Sequence, residues 1–127
     1  MATAPAFAAT PRYAAGLLSA ANTNRDGTGT VVTVFTSGAS GSRVDRIDVV
    51  ATATTTAGVV RIFVYDGSAY HLWKEQLVTA ITPSATIEVF RASIEPSGGL
   101  VLPTGHSIRC STHNAETFQV HVNGGDF

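Results

Sequence analysis

Residues 42–67 read SRVDRIDVVATATTTAGVVRIFVYDG and carry the clearest periodic pattern in the chain. Two runs within this stretch have an apolar residue at every second position, and a run rich in threonine and alanine separates them. The alternating apolar residues are Ile47, Val49, Ala51, Val60, Ile62 and Val64. Because successive side chains of a β-strand point to opposite faces, each run predicts a strand with one face toward a core.

The rest of the chain repeats this pattern. Phe118, Val120 and Val122 alternate in the same way, and no long window shows the apolar period of a helix. Turn-forming residues recur at intervals of about 8 to 15 positions. Strands without intervening helices must close on themselves or pack as two sheets to bury their apolar faces, and a sandwich is the most economical solution. The sequence therefore predicts an all-β fold: a single antiparallel β-sandwich, jelly-roll-like, with eight or nine strands.

Asp66-Gly67 is the sharpest of the turn signals. It lies between the apolar runs VRIFVY and SAYHLWKEQL. An Asp-Gly pair in this position is typical of a type I′ hairpin turn, in which both central residues have positive φ. We therefore expect a hairpin with that turn.

The first twenty residues differ in composition from the rest. The segment MATAPAFAATPRYAAG, residues 1–16, is rich in alanine and proline and lacks the basic region that opens a secretory signal peptide. We interpret residues 1–20 as an extended N-terminal arm and first strand, and residues 21–127 as the β-sandwich domain. Phe7 and Tyr13 are the candidate anchoring residues of the arm, and a disordered terminus is the alternative.

The composition excludes several classes of partner. The formal charge is −1, and charged residues make up 13% of the chain, against about 25% in an average soluble domain. We therefore expect no direct binding of nucleic acid, and the absence of an apolar run of about 20 residues predicts no membrane span. Cys110 has no second cysteine to pair with. So weakly charged a surface predicts that other subunits cover part of it, as in a homo-oligomer.

The stretch NTNRDGTGT, residues 22–30, resembles the start of a calcium loop. Asn22, Asn24 and Asp26 are the candidate metal ligands, because they occupy the first, third and fifth positions of the calcium-loop template and a glycine follows. The twelfth position is Thr33, where the template requires a bidentate glutamate. The alternative, which we favour, is a loop whose Asn and Asp side chains satisfy backbone donors while Gly27 or Gly29 has positive φ.

No other pattern indicates catalysis or a cofactor. The four histidines have no zinc-type spacing. The sequence Gly38-Ala39-Ser40-Gly41 lacks the helix that would follow a nucleophilic serine, and the acidic residues are scattered rather than paired. We expect a protein that is not an enzyme and binds no cofactor.

Aromatic residues cluster around the predicted hairpin. Tyr70 and Trp73 are the candidate contacts for a glycan or a protein partner, since exposed aromatic rings stack on sugars. Cross-strand aromatic packing within a sandwich would give the same pattern.

Five motifs, taken in order, resemble those of a family of small proteins encoded with virion genes in tailed phages, prophages and gene transfer agents. The motifs are NTNRDGTGT (22–30), SRVDRIDVVATATTTAGVVRIFVYDG (42–67), TAITPSAT (79–86), LVLPTGHSIRCSTHNAETFQV (100–120) and GGDF (124–127). The first twenty residues lie outside this resemblance, which supplies no catalytic residues.

The resemblance implies a β-sandwich that forms oligomers and has a structural role on the particle, as a head decoration, cement or spike-base protein. Its expected partners are the major capsid protein or other virion proteins, and its expected location is the virion, assembled in the cytoplasm of the bacterial host. The alternative is a receptor- or glycan-binding module of a virion spike or fibre.

Overall fold

The computed structural model describes residues 10–127, and these residues form nine β-strands and no helix. The strands are β1 (Thr10–Leu18), β2 (Val32–Thr36), β3 (Ser42–Ala51), β4 (Gly58–Tyr65), β5 (Tyr70–Val78), β6 (Arg91–Ile94), β7 (Leu100–Leu102), β8 (Ser107–Thr112) and β9 (Phe118–Asp126). The predicted all-β fold with eight or nine strands is confirmed. No helix in this part of the chain is long and apolar enough to cross a lipid bilayer.

The strands form two antiparallel sheets that pack face to face. Sheet A has the order β1-β9-β3-β6, with β7 also paired to β3, and sheet B has the order β2-β8-β4-β5. Most connections pass from one sheet to the other, while β4 and β5 are joined as a hairpin within sheet B. Strands β6 and β7 pair with successive parts of β3 and together fill one strand position. The result is the jelly-roll arrangement of an antiparallel sandwich.

The core lies between the sheets and is built from the alternating apolar residues. Ile47, Val49, Val120 and Val122 are fully buried there, as the period-two pattern predicts. Cys110 of β8 is also fully buried. Each strand thus contributes every second side chain to one shared interior.

Strand β4 departs from this pattern because both of its faces are covered. Val60 and Ile62 belong to the inter-sheet core, but Arg61 and Phe63 on the opposite face are equally inaccessible to solvent. The segment that joins β1 to β2 contacts Arg61, and the Tyr70 ring packs edge-on against Phe63. Asn22 of that segment contacts β4 and β8, and its Gly27 approaches Tyr70 of β5.

The hairpin after β4 is confirmed, but its predicted turn type is wrong. Residues 66–69 form the loop, and Gly67 has a φ of 100° while Asp66 does not have positive φ. The Asp66 carboxylate accepts hydrogen bonds from the N–H groups of Ser68 and Ala69. This side chain closes a longer turn, so the strained backbone of a two-residue turn is not required.

The first strand lies within residues 1–20, the segment interpreted as an arm and first strand. Strand β1 pairs with β9 along its whole length, from Thr10 opposite Asp126 to Leu18 opposite Phe118. Leu18 is buried in the core. Residues 10–18 are therefore part of sheet A. Phe7 lies outside the described residues.

Candidate functional site

The loop NTNRDGTGT is held together by its own side chains. The Asn22 amide nitrogen donates to the carbonyl oxygens of Thr28 and Thr30, at 2.8 and 2.9 Å. The Asn22 carbonyl oxygen accepts the N–H of Asn24. Both functional atoms of this buried side chain are thus used within the loop, in agreement with the interpretation that we favoured.

The other candidate ligands also serve the loop. Asp26 accepts hydrogen bonds from the N–H and hydroxyl groups of Thr28, and these bonds lower the pKa of its carboxyl group. Gly27 and Gly29 both have positive φ, and Gly29 packs against the Asn22 amide. Within residues 10–127, no three histidine, cysteine or acidic side chains are grouped so that they could hold a metal ion.

Beneath this loop lies a buried arginine that the sequence analysis did not identify. The Arg61 guanidinium is inaccessible to solvent and donates in three directions. Its Nε donates to Glu75 at 2.9 Å, its Nη1 to the backbone oxygen of Asn22 at 3.0 Å, and its Nη2 to Nδ1 of His113 at 3.2 Å. Arg61 therefore connects the loop, β5 and the end of β8 through charge-assisted hydrogen bonds.

Glu75 is the acidic partner shared by two arginines. Its Oε2 atom accepts from Arg25 of the loop at 2.8 Å as well as from Arg61. The hydrogen bond from Arg25 is the largest contribution that lowers the pKa of the Glu75 carboxyl group, and Arg61 adds to it. In the sequence, Arg61 occupies a solvent-facing position of an alternating strand. Its burial depends on a loop about 35 positions away, and the strand pattern carries no signal of that contact.

The two aromatic candidates lie in different environments. Tyr70 is half-buried on the outer face of sheet B, where it contacts Phe63 and Tyr65 and accepts a hydrogen bond from Arg109. Trp73 is half-buried and packs against the core between the sheets. The two rings therefore do not form one exposed stacking platform.

The outer face of sheet A at β1 and β9 presents exposed apolar side chains. Tyr13 is 59% exposed and Leu17 is 54% exposed, and they lie on either side of Ala15 on the same face. With His121 and Gln119 they line a shallow depression of about 370 Å³. The Tyr13 hydroxyl forms a hydrogen bond with Nδ1 of His121, and the two rings stack, so the floor of this surface is ordered.

Strand β1 is also an edge strand with little charge. One side of it pairs with β9, and its other side has no strand partner within residues 10–127. Arg12 is its charged residue, and the Arg12 guanidinium is bound to Asp126 and to the Thr36 carbonyl. Edge strands usually carry exposed charges that prevent pairing with another chain. Pro11 near the start of β1 lacks an N–H group, but residues 13–18 carry neither a charge nor a proline, so this part of β1 is a candidate strand-pairing edge.

The remaining histidines are spread over the sandwich. His71 lies 2.9 Å from Asp66 at the hairpin, and this hydrogen bond makes the largest contribution that lowers the pKa of Asp66. His106 lies beside the Thr104 carbonyl before β8.

Comparisons of the chain with protein-family models, with curated proteins and with solved structures found no match.

Proposed function

We propose that this protein is a non-enzymatic structural component of a phage or phage-like particle. In this role it forms oligomers and docks on the capsid surface through the outer face of β1 and β9. The observation that carries the proposal is the edge strand β1, whose one charged residue, Arg12, is paired with Asp126, and whose Tyr13 and Leu17 are exposed. The low charge of the chain and the series of motifs that resembles small virion proteins support it.

The proposed mechanism is burial of this surface against a neighbouring subunit. Full burial of an exposed Leu or Tyr side chain contributes about 1.5–3 kcal/mol, and backbone hydrogen bonds along an added strand give the contact its register. One such contact is weak. Many copies on a symmetric particle would nevertheless make attachment strong, because the contacts are lost together.

Purified particles provide the decisive test. Mass spectrometry and cryo-electron microscopy should detect the protein in a fixed number of copies per particle, with β1 at the contact. Leu17→Asp should reduce particle occupancy at least about tenfold, because it buries a charge. The matched control is Ile87→Asp, since Ile87 is 53% exposed in a loop between β5 and β6. Particles that lack the protein would refute the proposal.

The alternative function is a receptor- or glycan-binding module of a spike or fibre. The separate environments of Tyr70 and Trp73 give it no added support. Glycan arrays with the native chain and with Tyr70→Ala distinguish the two functions. A structural component should show no tyrosine-dependent signal on the array.

A further inference from the structure

A small cleft opens on the outer face of sheet B, beyond the part that the loop covers. Its volume is about 270 Å³. Val59 of β4 and Leu77 of β5 supply apolar surface, and Arg25 and His113 lie at its polar side. Leu77 is 70% exposed although it is cross-paired with Val59 in the sheet. The apolar side chains of Val59 and Leu77 and the cationic side chain of Arg25 therefore line the same cleft.

Two arginines and two glutamates lie around the cleft. Arg25 and Arg61 are both positively charged at neutral pH, and Glu75 is the carboxylate that both contact. Glu116 lies on the adjoining loop, where its Oε2 accepts from the N–H and hydroxyl groups of Thr56. The formal charges of these four groups cancel, but Arg25 and Arg61 line the cleft and neither carboxylate does, so the charged part of its lining is cationic.

Arg25 is the cation that a ligand can reach. Its side chain is 64% exposed, and Nε is the atom of its guanidinium that Glu75 engages. The Nη1 and Nη2 groups have no hydrogen-bond partner among residues 10–127. Arg61 lies below the surface and acts on the cleft through its charge, since no solvent reaches it.

His113 contributes a second donor. Arginine carries no acceptor, so Nδ1 of His113 must accept the hydrogen bond from Arg61. The neutral ring therefore carries its hydrogen on Nε2.

We propose that this cleft binds a carboxylate that carries a small branched apolar group. The carboxylate would accept hydrogen bonds from the free Arg25 donors and from His113, and the apolar group would cover Leu77 and Val59. A planar guanidinium matches the two oxygens of a carboxylate. Leucine at the C-terminus of a peptide and a free branched-chain acid share this chemistry.

Nuclear magnetic resonance titration of the full chain tests the proposal. The probe is N-acetyl-leucine, observed through the Arg25 Nε–H and His113 ring signals. We expect saturable shifts with a Kd on the order of 1–10 mM. N-acetyl-leucinamide lacks the charge and N-acetylglycine lacks the branched group, so each should bind at least about fivefold more weakly. Equal binding of either compound would overturn the proposal.

Two variants and a second acid complete the experiment. Arg25→Gln should weaken N-acetyl-leucine binding about tenfold, whereas Arg91→Gln, at an exposed arginine on sheet A, should leave it unchanged. Equal losses in both variants would show a nonspecific charge effect and refute the site. Thermal unfolding of Arg25→Gln verifies that it is folded. Tighter binding of N-acetyl-leucine than of 3-methylbutanoate assigns the site to peptide termini, and the reverse order assigns it to free acids.

Discussion

At the scale of single residues, Arg61 differs most from what its sequence position indicates. Isolated buried charges are very costly, yet this guanidinium is fully enclosed. It is tolerated because a carboxylate, a backbone carbonyl and an imidazole nitrogen accept its hydrogen bonds. Removing it would leave the Asn22 carbonyl and Nδ1 of His113 without this donor, whereas Glu75 would keep Arg25.

Arg61→Met should lower the free energy of unfolding by about 2–4 kcal/mol. Methionine replaces the apolar stem of the arginine but none of its donors, and Glu75 keeps Arg25 as a partner. Urea denaturation followed by tryptophan fluorescence measures the loss. Arg91→Met, at an exposed arginine, is the control and should change stability by less than about 0.5 kcal/mol. Similar values for both variants would mean that the buried network has no stabilising role.

At the scale of elements, Asp126 fastens three strands of sheet A. It lies in β9 and accepts a hydrogen bond from Ser42 of β3 at 2.6 Å and one from Arg12 of β1 at 3.1 Å. The Ser42 hydrogen bond and then the Arg12 guanidinium hold the pKa of the Asp126 carboxyl group below its usual value of 3.8. The contacts between β1, β3 and β9 at this end of the sheet therefore depend on the ionised form of the Asp126 carboxyl group.

This linkage predicts a defined acid dependence. A carboxyl group whose pKa is lower in the folded state stabilises the fold above its unfolded pKa, and this contribution is lost as the pH falls below that value. Asp126→Asn should therefore lose stability at neutral pH and show a smaller further loss between about pH 5 and about pH 2. Thermal unfolding across this range gives the measurement. Glu88→Gln, at an exposed position, should retain the native acid dependence.

Strand β1 provides a second prediction at this scale. Deleting residues 1–13 removes Arg12, which is bound to Asp126 and lies over the Phe35 ring. It also removes the residues of β1 that pair with residues 123–126 of β9. The melting temperature should fall by about 5 °C or more. Differential scanning calorimetry of this variant is compared with that of a variant lacking residues 1–9, which keeps every described contact. If both variants melt at the native temperature, the first half of β1 does not stabilise the sandwich.

At the scale of the whole molecule, Cys110 reports on the integrity of the sandwich. It lies in the core between the sheets, and burial raises the pKa of its thiol to about 12. Because the thiolate is the reactive form, the native protein should react with a thiol reagent at least about a hundredfold more slowly than the unfolded chain. Labelling kinetics with a chromogenic disulfide at several urea concentrations test this. Rapid labelling in native buffer would indicate that the two sheets separate readily.

The Arg61 variant connects these scales. If strand β4 and the segment that joins β1 to β2 stabilise the sandwich as one unit, Arg61→Met should accelerate Cys110 labelling in proportion to its loss of stability. An unchanged labelling rate together with a lower free energy of unfolding would mean that Arg61 stabilises the loop of residues 22–30 and not the packing of the two sheets. Mass spectrometry of the labelled protein at fixed times distinguishes the two outcomes.

The sequence by itself determined the all-β fold, the two-sheet architecture and the part of the core that the alternating residues form. These features follow from a period-two pattern, because Ile47, Val49, Val120 and Val122 must all face one interior. The hairpin at Asp66-Gly67 was also predictable, although its turn type depends on where the Asp66 carboxylate finds donors.

Only the tertiary structure decided which outward-facing residues become buried. Arg61 has the alternation of an exposed residue, but the segment between β1 and β2 brings Asn22 to Arg61 and Arg25 to Glu75. Phe63 on the same face packs against the Tyr70 ring. The same packing left Tyr13 and Leu17 exposed on an edge strand and separated Tyr70 from Trp73. The period-two pattern of apolar residues distinguishes only the two faces of a strand. What covers each face depends on contacts between segments far apart in the chain.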